Sequence, residues 1–276
     1  MKKKIIALLL TIWVLSIALG VILSRTEPSF SDSKEAGDYQ APTLFVHGYG
    51  GGYGSEKNII EALSEKSGFR QVLRININRK GDLSSTGRWQ PDVEHPLIAV
   101  VFNDGKPNEK YLRRVLVQLK SRYKIKAFNA VGHSTGANAW VNLAVSADKQ
   151  KMPELQALIT IAGPFNGFMG MPSETDVKKI ELDKDGKPNT MVASYSYLDV
   201  NKDKFPKNTR VLNLFGNIGD DTDGVVPVSS ARSLRYIVEE NAKSYTEQEV
   251  TNAKAQHSAL HDNNQVVNQF IYDFLK

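Results

Sequence analysis

The strongest constraint on the fold is an alternation of short apolar runs with segments that carry apolar residues at helical spacing. The apolar runs predict strands at residues 43–46, 71–78, 96–102, 127–131, 155–163, 209–217 and 244–251. Helices are predicted at residues 55–69, 108–123, 136–147 and 263–276. Repeated alternation with apolar strands favours an α/β fold, in which helices cover both faces of a mostly parallel sheet.

Residues 164–208 interrupt this alternation, because they are rich in Gly, Pro, Lys and Asp. We interpret them as an insertion over the sheet and not as a second domain. The sequence has 276 residues, a length that a single α/β domain can accommodate. One domain is therefore expected over residues 41–276.

The N-terminal segment differs from the rest of the chain. Lys2, Lys3 and Lys4 precede an apolar stretch over residues 5–23, and a polar stretch without periodicity follows at residues 25–40. This pattern is typical of a signal peptide, and the stretch is also long enough for a membrane anchor. We expect residues 1–24 to be one or the other, residues 25–40 to be a linker, and the domain to be extracytoplasmic, either secreted or anchored to the membrane at the cell surface.

Composition excludes several classes of protein. Residues 1–20 hold three lysines and no acid, so the net charge of +5 falls to +2 for the remainder, which is not typical of a nucleic-acid-binding protein. The chain has no cysteine, which excludes disulfides, cysteine-ligated metals and a lipid-modified cysteine. A basic run over residues 110–126 lies on a predicted helix, and we interpret it as a solvated face, with contact to an anionic cell surface as the alternative.

The pentapeptide Gly132-His133-Ser134-Thr135-Gly136 lies where a predicted strand gives way to a predicted helix. A sharp turn of this kind exposes a serine hydroxyl and presents the backbone N–H groups of the helix start. Glycines suit positions 132 and 136, because side chains there would clash in so tight a turn. The pattern predicts Ser134 as a nucleophile, and a tight turn without chemistry is the alternative.

A second glycine-rich loop, Gly48 to Gly52, follows the first predicted strand. In this architecture the oxyanion hole takes one N–H from the residue after the nucleophile and one from a loop after an early strand. The backbone N–H groups of Tyr49 and Thr135 are the predicted donors.

An acid and a histidine are expected after the serine, in that order along the chain. Asp223 is the favoured acid, because the Gly-Val-Val-Pro segment after it can hold the carboxylate against the sheet, and Asp221 is the alternative. His257 is the favoured base and His261 the alternative, since both lie between the last predicted strand and the last helix.

The segments VHGYGGG, VGHSTGA, IAGPFNG, DGVVPVSSA and AQHSALHDN together resemble the α/β-hydrolase superfamily. More narrowly, they resemble bacterial cell-surface α/β hydrolases of unassigned function that are distantly similar to lipases. The resemblance covers residues 40–276 and implies Ser134 as nucleophile, Asp223 as acid and His257 as base. In small lipases of the superfamily the base lies a similar distance before the last helix, which also favours His257.

These observations predict a serine esterase acting on a small-molecule or lipid ester, with no metal and no organic cofactor. Two alternatives stay open from the sequence. The same residues would serve an acyltransferase or a hydrolase of thioesters or amides, because the pocket and not the triad selects the acceptor. A non-catalytic surface binding protein would keep the fold without needing an intact set of Ser134, Asp223 and His257.

Overall fold

The computed structural model describes residues 41–146, 151–172 and 176–276. The predicted signal peptide or anchor (1–24) and the predicted linker (25–40) thus lie outside the described residues, as does the end of the helix predicted at 136–147. None of the helices in the described ranges is long and apolar enough to cross a membrane.

Eight strands in the described ranges form one sheet in the order β3-β2-β4-β1-β5-β6-β7-β8. All neighbouring pairs are parallel except β2 and β3, which are antiparallel. The strands are β1 (Thr43–Val46), β2 (Phe69–Ile77), β3 (Leu83–Gly87), β4 (His95–Phe102), β5 (Ala127–His133), β6 (Glu154–Ile161), β7 (Arg210–Gly216) and β8 (Ser244–Val250).

Helices cover both faces of this sheet and bury separate apolar clusters. The helices are α1 (Tyr53–Ser64), α2 (Glu109–Tyr123), α3 (Thr135–Ala144), α4 (Ala193–Asn201), α5 (Val228–Arg232), α6 (Leu234–Val238) and α7 (Gln265–Leu275). Ile60 of α1 and Ile271 of α7 share one cluster, whereas Leu116 of α2 and Trp140 of α3 belong to the other. The mostly parallel sheet with two covered faces is the architecture that the alternation predicted, and it is the α/β-hydrolase fold.

Some elements differ from the expectation. Strand β3 was not predicted, because its sequence LSSTG is short and largely polar and gains its strand form by pairing with β2. The first helix was predicted to end at residue 69 but ends at Ser64, since the chain turns through Gly68 with φ +82° and enters β2 at Phe69. The segment 164–208 contains α4, which sequence periodicity did not reveal.

The strand order determines where the site lies. Strand β1 sits between β4 and β5, and its successors along the chain lie on opposite sides of it, which makes its carboxyl end a topological switch point. Val46 at the end of β1 pairs with Gly132 near the end of β5. The loop after β1 and the turn after β5 therefore begin side by side, at the edge where open α/β sheets bind ligands.

Candidate active site

Ser134 occupies the turn between β5 and α3. Its backbone has φ 53° and ψ −121°, a left-handed conformation that is rare for a residue with a side chain. Neighbouring backbone holds it there, since its N–H donates to Ile161 O at 2.8 Å and its carbonyl accepts from Ala137 N at 3.0 Å. The turn is thus strained, and neighbouring hydrogen bonds hold it in this conformation, as is common for functional turns.

The two glycines of this turn are needed for close backbone approach. A Cβ at Gly136 would lie 2.6 Å from His47 O and closer still to Val46 O, so α3 could not pack against the end of β1. A Cβ at Gly132 would lie 2.6 Å from Ala137 N in the first turn of α3. Both predicted positions therefore tolerate only glycine without backbone movement.

Three side chains from three separate turns form a hydrogen-bonded chain. Ser134 Oγ lies 3.1 Å from His257 Nε2, and His257 Nδ1 lies 2.8 Å from Asp223 Oδ2. Asp223 follows β7, and His257 begins a short 3₁₀ turn, His257–Leu260, after β8. The parallel strands β5, β7 and β8 bring all three turns to one edge of the sheet.

The Asp223 carboxylate is held by backbone as well as by His257. It is 1% exposed, and its Oδ1 accepts the N–H groups of Val225 at 2.9 Å and Val226 at 2.7 Å. The main chain adds a further link, because His257 N–H donates to Asp223 O at 2.8 Å. The apolar segment after Asp223 thus fixes the carboxylate through its amide groups.

The alternative residues have other partners. Asp221 is exposed, with φ 58°, and its backbone bonds to Asn217 and Val228. His261 Nδ1 donates to Ser55 O at 2.7 Å in the first turn of α1. Burial lowers the pKa of His261, opposed in part by this hydrogen bond. The structure therefore links Asp223 and His257 to Ser134 by hydrogen bonds, whereas Asp221 and His261 make no such bond, although His261 lines the same cleft.

The loop after β1 lies directly against Ser134. A Cβ at Gly48 would be 3.0 Å from Ser134 Cβ, and Gly50 N–H anchors the loop by donating to Gly105 O at 2.8 Å. Within the described part of the chain, the backbone N–H groups of Tyr49 and Thr135 have no hydrogen-bond partner. Two unpaired amides beside a hydroxyl are the arrangement that accepts a developing oxyanion.

Two further histidines, His47 and His133, support the site, and neither was among the predicted site residues. His133 is buried, and its Nε2 lies 3.1 Å from the carbonyl oxygen of His257, to which it donates. Burial, together with the nearby His261 and His257, lowers the pKa of His133 well below its usual value. His47 accepts Phe102 N–H at Nε2, 2.9 Å away, and its Nδ1 donates to Gly48 O at 2.8 Å, which fixes the glycine loop to β4.

A cleft of about 610 Å³ opens over Ser134, a size suited to a small organic ligand. Its walls come from the loop after β1, the turn after β5 and the start of the 164–208 segment. The turn that carries Asp223, which we call the acid turn, and the turn that carries His257 complete them. They comprise Gly48, Tyr49, Gly50, Gly51, Ser55, His133, Ser134, Thr135, Pro164, Phe168, Val225, Val226, His257, Ser258 and His261. In the described ranges, no group of three or more His, Asp or Glu residues is placed to hold a metal ion.

Comparison with protein families shows the family to which this chain belongs. The family described as "Alpha/beta hydrolase of unknown function (DUF915)" matches residues 31–276. This chain belongs to that family. No curated protein sequence matches the chain.

Solved structures agree with this hydrolase fold. A protein from Listeria innocua is 25% identical with a TM-score of 0.75, and the match covers 86% of this chain and 94% of that one. A candidate cell surface hydrolase from Lactobacillus plantarum is 22% identical with a TM-score of 0.63, and the match covers 86% of this chain and 90% of that one. A Bacillus subtilis protein described as a candidate hydrolase is 12% identical with a TM-score of 0.50 over 88% of this chain and 86% of that one.

Proposed function

We propose that this α/β hydrolase cleaves carboxylic esters through a Ser134–His257–Asp223 triad and an acyl-enzyme intermediate. The observation that carries the proposal is the continuous hydrogen-bonded chain from Ser134 Oγ through His257 to Asp223 Oδ2, beside two unpaired backbone amides. A hydroxyl is a weak nucleophile unless a base accepts its proton. In the proposed triad His257 is that base, and Asp223 orients it.

In the first half-reaction, Ser134 Oγ attacks the ester carbonyl carbon while its proton passes to His257 Nε2. The carbonyl oxygen becomes an oxyanion, which the N–H groups of Tyr49 and Thr135 stabilise. The tetrahedral intermediate then collapses, the bond to the alcohol oxygen breaks, and His257 returns the proton to the departing alkoxide. Asp223 keeps Nδ1 of His257 protonated, so that Nε2 is the acceptor at the start of the reaction.

In the second half-reaction, water attacks the acyl group on Ser134 and gives its proton to His257. Collapse of the second intermediate releases the carboxylic acid and restores the Ser134 hydroxyl with the same proton. The cycle is balanced with ester and water as the only reactants. We propose a small-molecule or lipid ester as the substrate, because the cleft of about 610 Å³ suits a small organic ligand.

We further propose that the domain works outside the cytoplasm. Lys2 to Lys4 followed by the apolar stretch 5–23 support export, and the related Lactobacillus plantarum protein is described as a candidate cell surface hydrolase. Protease added to intact bacterial cells that produce the chain should degrade the domain. Protection of the domain until the cells are lysed would contradict export.

The activity is tested by measuring hydrolysis of p-nitrophenyl acyl esters by the full chain, with Ser134→Ala and His257→Ala beside it. We expect each variant to lose about 10³-fold or more in kcat, because the two side chains act as a unit. His261→Ala tests the alternative base and should retain far more activity than His257→Ala, because His261 lines the cleft but does not bond to Ser134. Loss of hydrolysis in His261→Ala with hydrolysis kept in His257→Ala would identify His261 as the base. Absence of ester hydrolysis by the folded wild-type chain would overturn the proposal.

A further inference from the structure

The described residues that line the cleft over Ser134 are uncharged or histidine. Among the described residues that line it, none is Asp, Glu, Lys or Arg. A carboxylate or ammonium group on a ligand would lose its hydration in the cleft without gaining an ionic partner, which is unfavourable. The part of the substrate that enters the cleft is therefore expected to be uncharged.

Apart from the turns that carry Ser134 and His257, the lining residues form two chemically different sets. The backbone of the glycine loop, Ser55 and His261 form a polar set, linked by the bond from His261 Nδ1 to Ser55 O. Pro164, Phe168, Val225 and Val226 form an apolar set, which we call the apolar wall. The N–H of Met169 donates to Val225 O at 2.8 Å, so the two chain segments of this wall are joined directly.

Buried polar groups hold the segment that carries Phe168. Asn166 and Ser230 are both fully buried, and Asn166 N–H donates to Ser230 Oγ at 3.0 Å. Ser230 Oγ in turn donates to Gly167 O at 2.6 Å. The Asn166 side chain donates to Thr190 O at 2.8 Å and accepts Val192 N–H at 2.9 Å.

Phe168 is thus flanked by two fixed peptide groups, the Gly167 carbonyl and the Met169 amide. Its side chain is nevertheless 40% exposed, although a large apolar side chain gains by burial. An aromatic residue that lines a ligand-sized cleft on fixed backbone, yet is still partly open to solvent, is well placed to contact a ligand.

We propose that Phe168 is a specificity-determining residue that selects uncharged esters bearing an extended apolar chain. This inference rests on the proposed function of Ser134, because it names the substrate class for that site. The chain packs along the apolar wall, and Phe168 supplies the largest contact. An acetyl ester of a small alcohol does not extend far enough to gain from it.

The first test compares kcat/KM for octanoyl and acetyl esters of p-nitrophenol, and for octyl and methyl esters of acetic acid. Replacing Phe168 by Ala should lower the long-to-short ratio about 10-fold in at least one series, whereas Phe168→Leu should retain most of it. Tyr197→Ala is the matched control, since Tyr197 is 48% exposed on α4 and does not line the cleft. Unchanged ratios in both series for a folded Phe168→Ala would overturn the proposal.

The second test concerns charge. The p-nitrophenyl hemisuccinate ester and the butyrate ester have acyl groups of equal length, but only the first ends in a carboxylate. We expect the hemisuccinate to react at least about 10-fold more slowly, because its carboxylate has no cationic partner in the cleft. Equal rates would overturn the part of the inference that excludes charged chains.

A binding measurement separates this inference from the proposed function. The Ser134→Ala variant and the Ser134→Ala/Phe168→Ala double variant are titrated with the octanoyl and acetyl esters, which requires no turnover. A roughly 10-fold loss of octanoyl affinity in the double variant supports the apolar wall even if the wild-type chain hydrolyses no ester. Equal octanoyl affinity in the two variants overturns the role of Phe168 even if hydrolysis is observed.

Discussion

Asp223, in the acid turn after β7, and Glu56, in the first turn of α1, are buried to the same degree but have opposite surroundings. Asp223 is 1% exposed and Glu56 2% exposed. The Asp223 carboxylate accepts two backbone N–H groups and contacts the His257 ring, whereas neither carboxyl oxygen of Glu56 has a hydrogen-bond partner in the described part of the chain. Burial raises the pKa of Glu56 to about 8.

The difference shows that burial alone does not identify a functional acid. An ionised carboxylate is tolerated in the interior when amides and a histidine surround it, as they do at Asp223. Without such partners the carboxyl is neutral, which is the expected state of Glu56 at pH 7. The acid turn is therefore built to carry a charge, and the first turn of α1 is built around an uncharged side chain.

Asp223→Asn gives the largest expected effect. The amide has nearly the same shape but cannot hold the His257 ring in the tautomer that accepts the Ser134 proton, so kcat should fall about 10⁴-fold. The measurement is ester hydrolysis by a variant whose thermal unfolding is checked separately. Glu56→Gln is the matched isosteric change and should leave kcat within about 3-fold of wild type. A loss below 10-fold in Asp223→Asn would remove this residue from the proposed triad.

Glu56→Gln should instead change how stability depends on pH. The pKa of Glu56 rises from 4.5 to about 8 on folding, so between these values the folded chain retains a proton that the unfolded chain releases. The contribution of Glu56 is fully present below pH 4.5 and is lost as the pH rises toward 8. The wild type should therefore lose up to about 5 kcal/mol of unfolding free energy relative to the variant over this window.

Urea denaturation of wild type and Glu56→Gln at several pH values measures that difference. Subtracting the two curves of unfolding free energy against pH removes the contributions of the histidines and of the other titratable groups that both proteins share. Parallel curves would mean that the Glu56 carboxyl titrates in the folded protein as it does in water.

His133 connects the two regions and should give an intermediate effect. Its ring contacts the rings of His257 and His261, with centroids 4.8 Å and 4.2 Å away, and His261 is bonded to the first turn of α1. His133→Leu removes the donor to His257 O, and the resulting displacement of His257 should lower kcat about 100-fold with little change in KM. His133→Gln, which keeps an N–H donor, should recover part of the loss. Equal losses in the two variants would indicate a packing role only.

Asp221→Asn should give the smallest effect. Asp221 is exposed at φ 58°, a conformation that asparagine adopts readily, and its side chain approaches Asn217 and not His257. We expect kcat to stay within about 3-fold of wild type in the ester assay. A loss approaching that of Asp223→Asn would require the acid turn to rearrange in solution.

Much of the fold could be predicted where apolar periodicity carries the information. The prediction of residues 43–46 matches β1, and that of residues 244–251 extends one residue beyond β8. Periodicity did not reveal β3 or the short helices α5 and α6, because such short segments have little pattern of their own. Their conformation depends on neighbouring elements: β3 pairs with β2, and Ser230 of α5 bonds to the Asn166 segment.

The local chemistry of the candidate site was also readable from the sequence. Gly132 and Gly136 around Ser134 predicted a turn too tight for side chains, and the order of serine, acid and histidine restricted the choice to a few residues. The choice between Asp223 and Asp221, or between His257 and His261, was open, because each pair lies within a few residues in the same loop. The turn geometry selects one member, since it brings Asp223 and His257 to bonding distance and turns Asp221 to solvent.

The sequence by itself determined the α/β class, the glycine turns and the small set of candidate site residues, because these follow from local spacing and residue type. Only the tertiary structure decided which groups meet, that the His133 ring supports His257, that Phe168 is fixed beside the cleft, and that Glu56 is buried without partners. Those contacts join segments far apart along the chain. They depend on strand order and helix packing, which local sequence patterns constrain but do not specify.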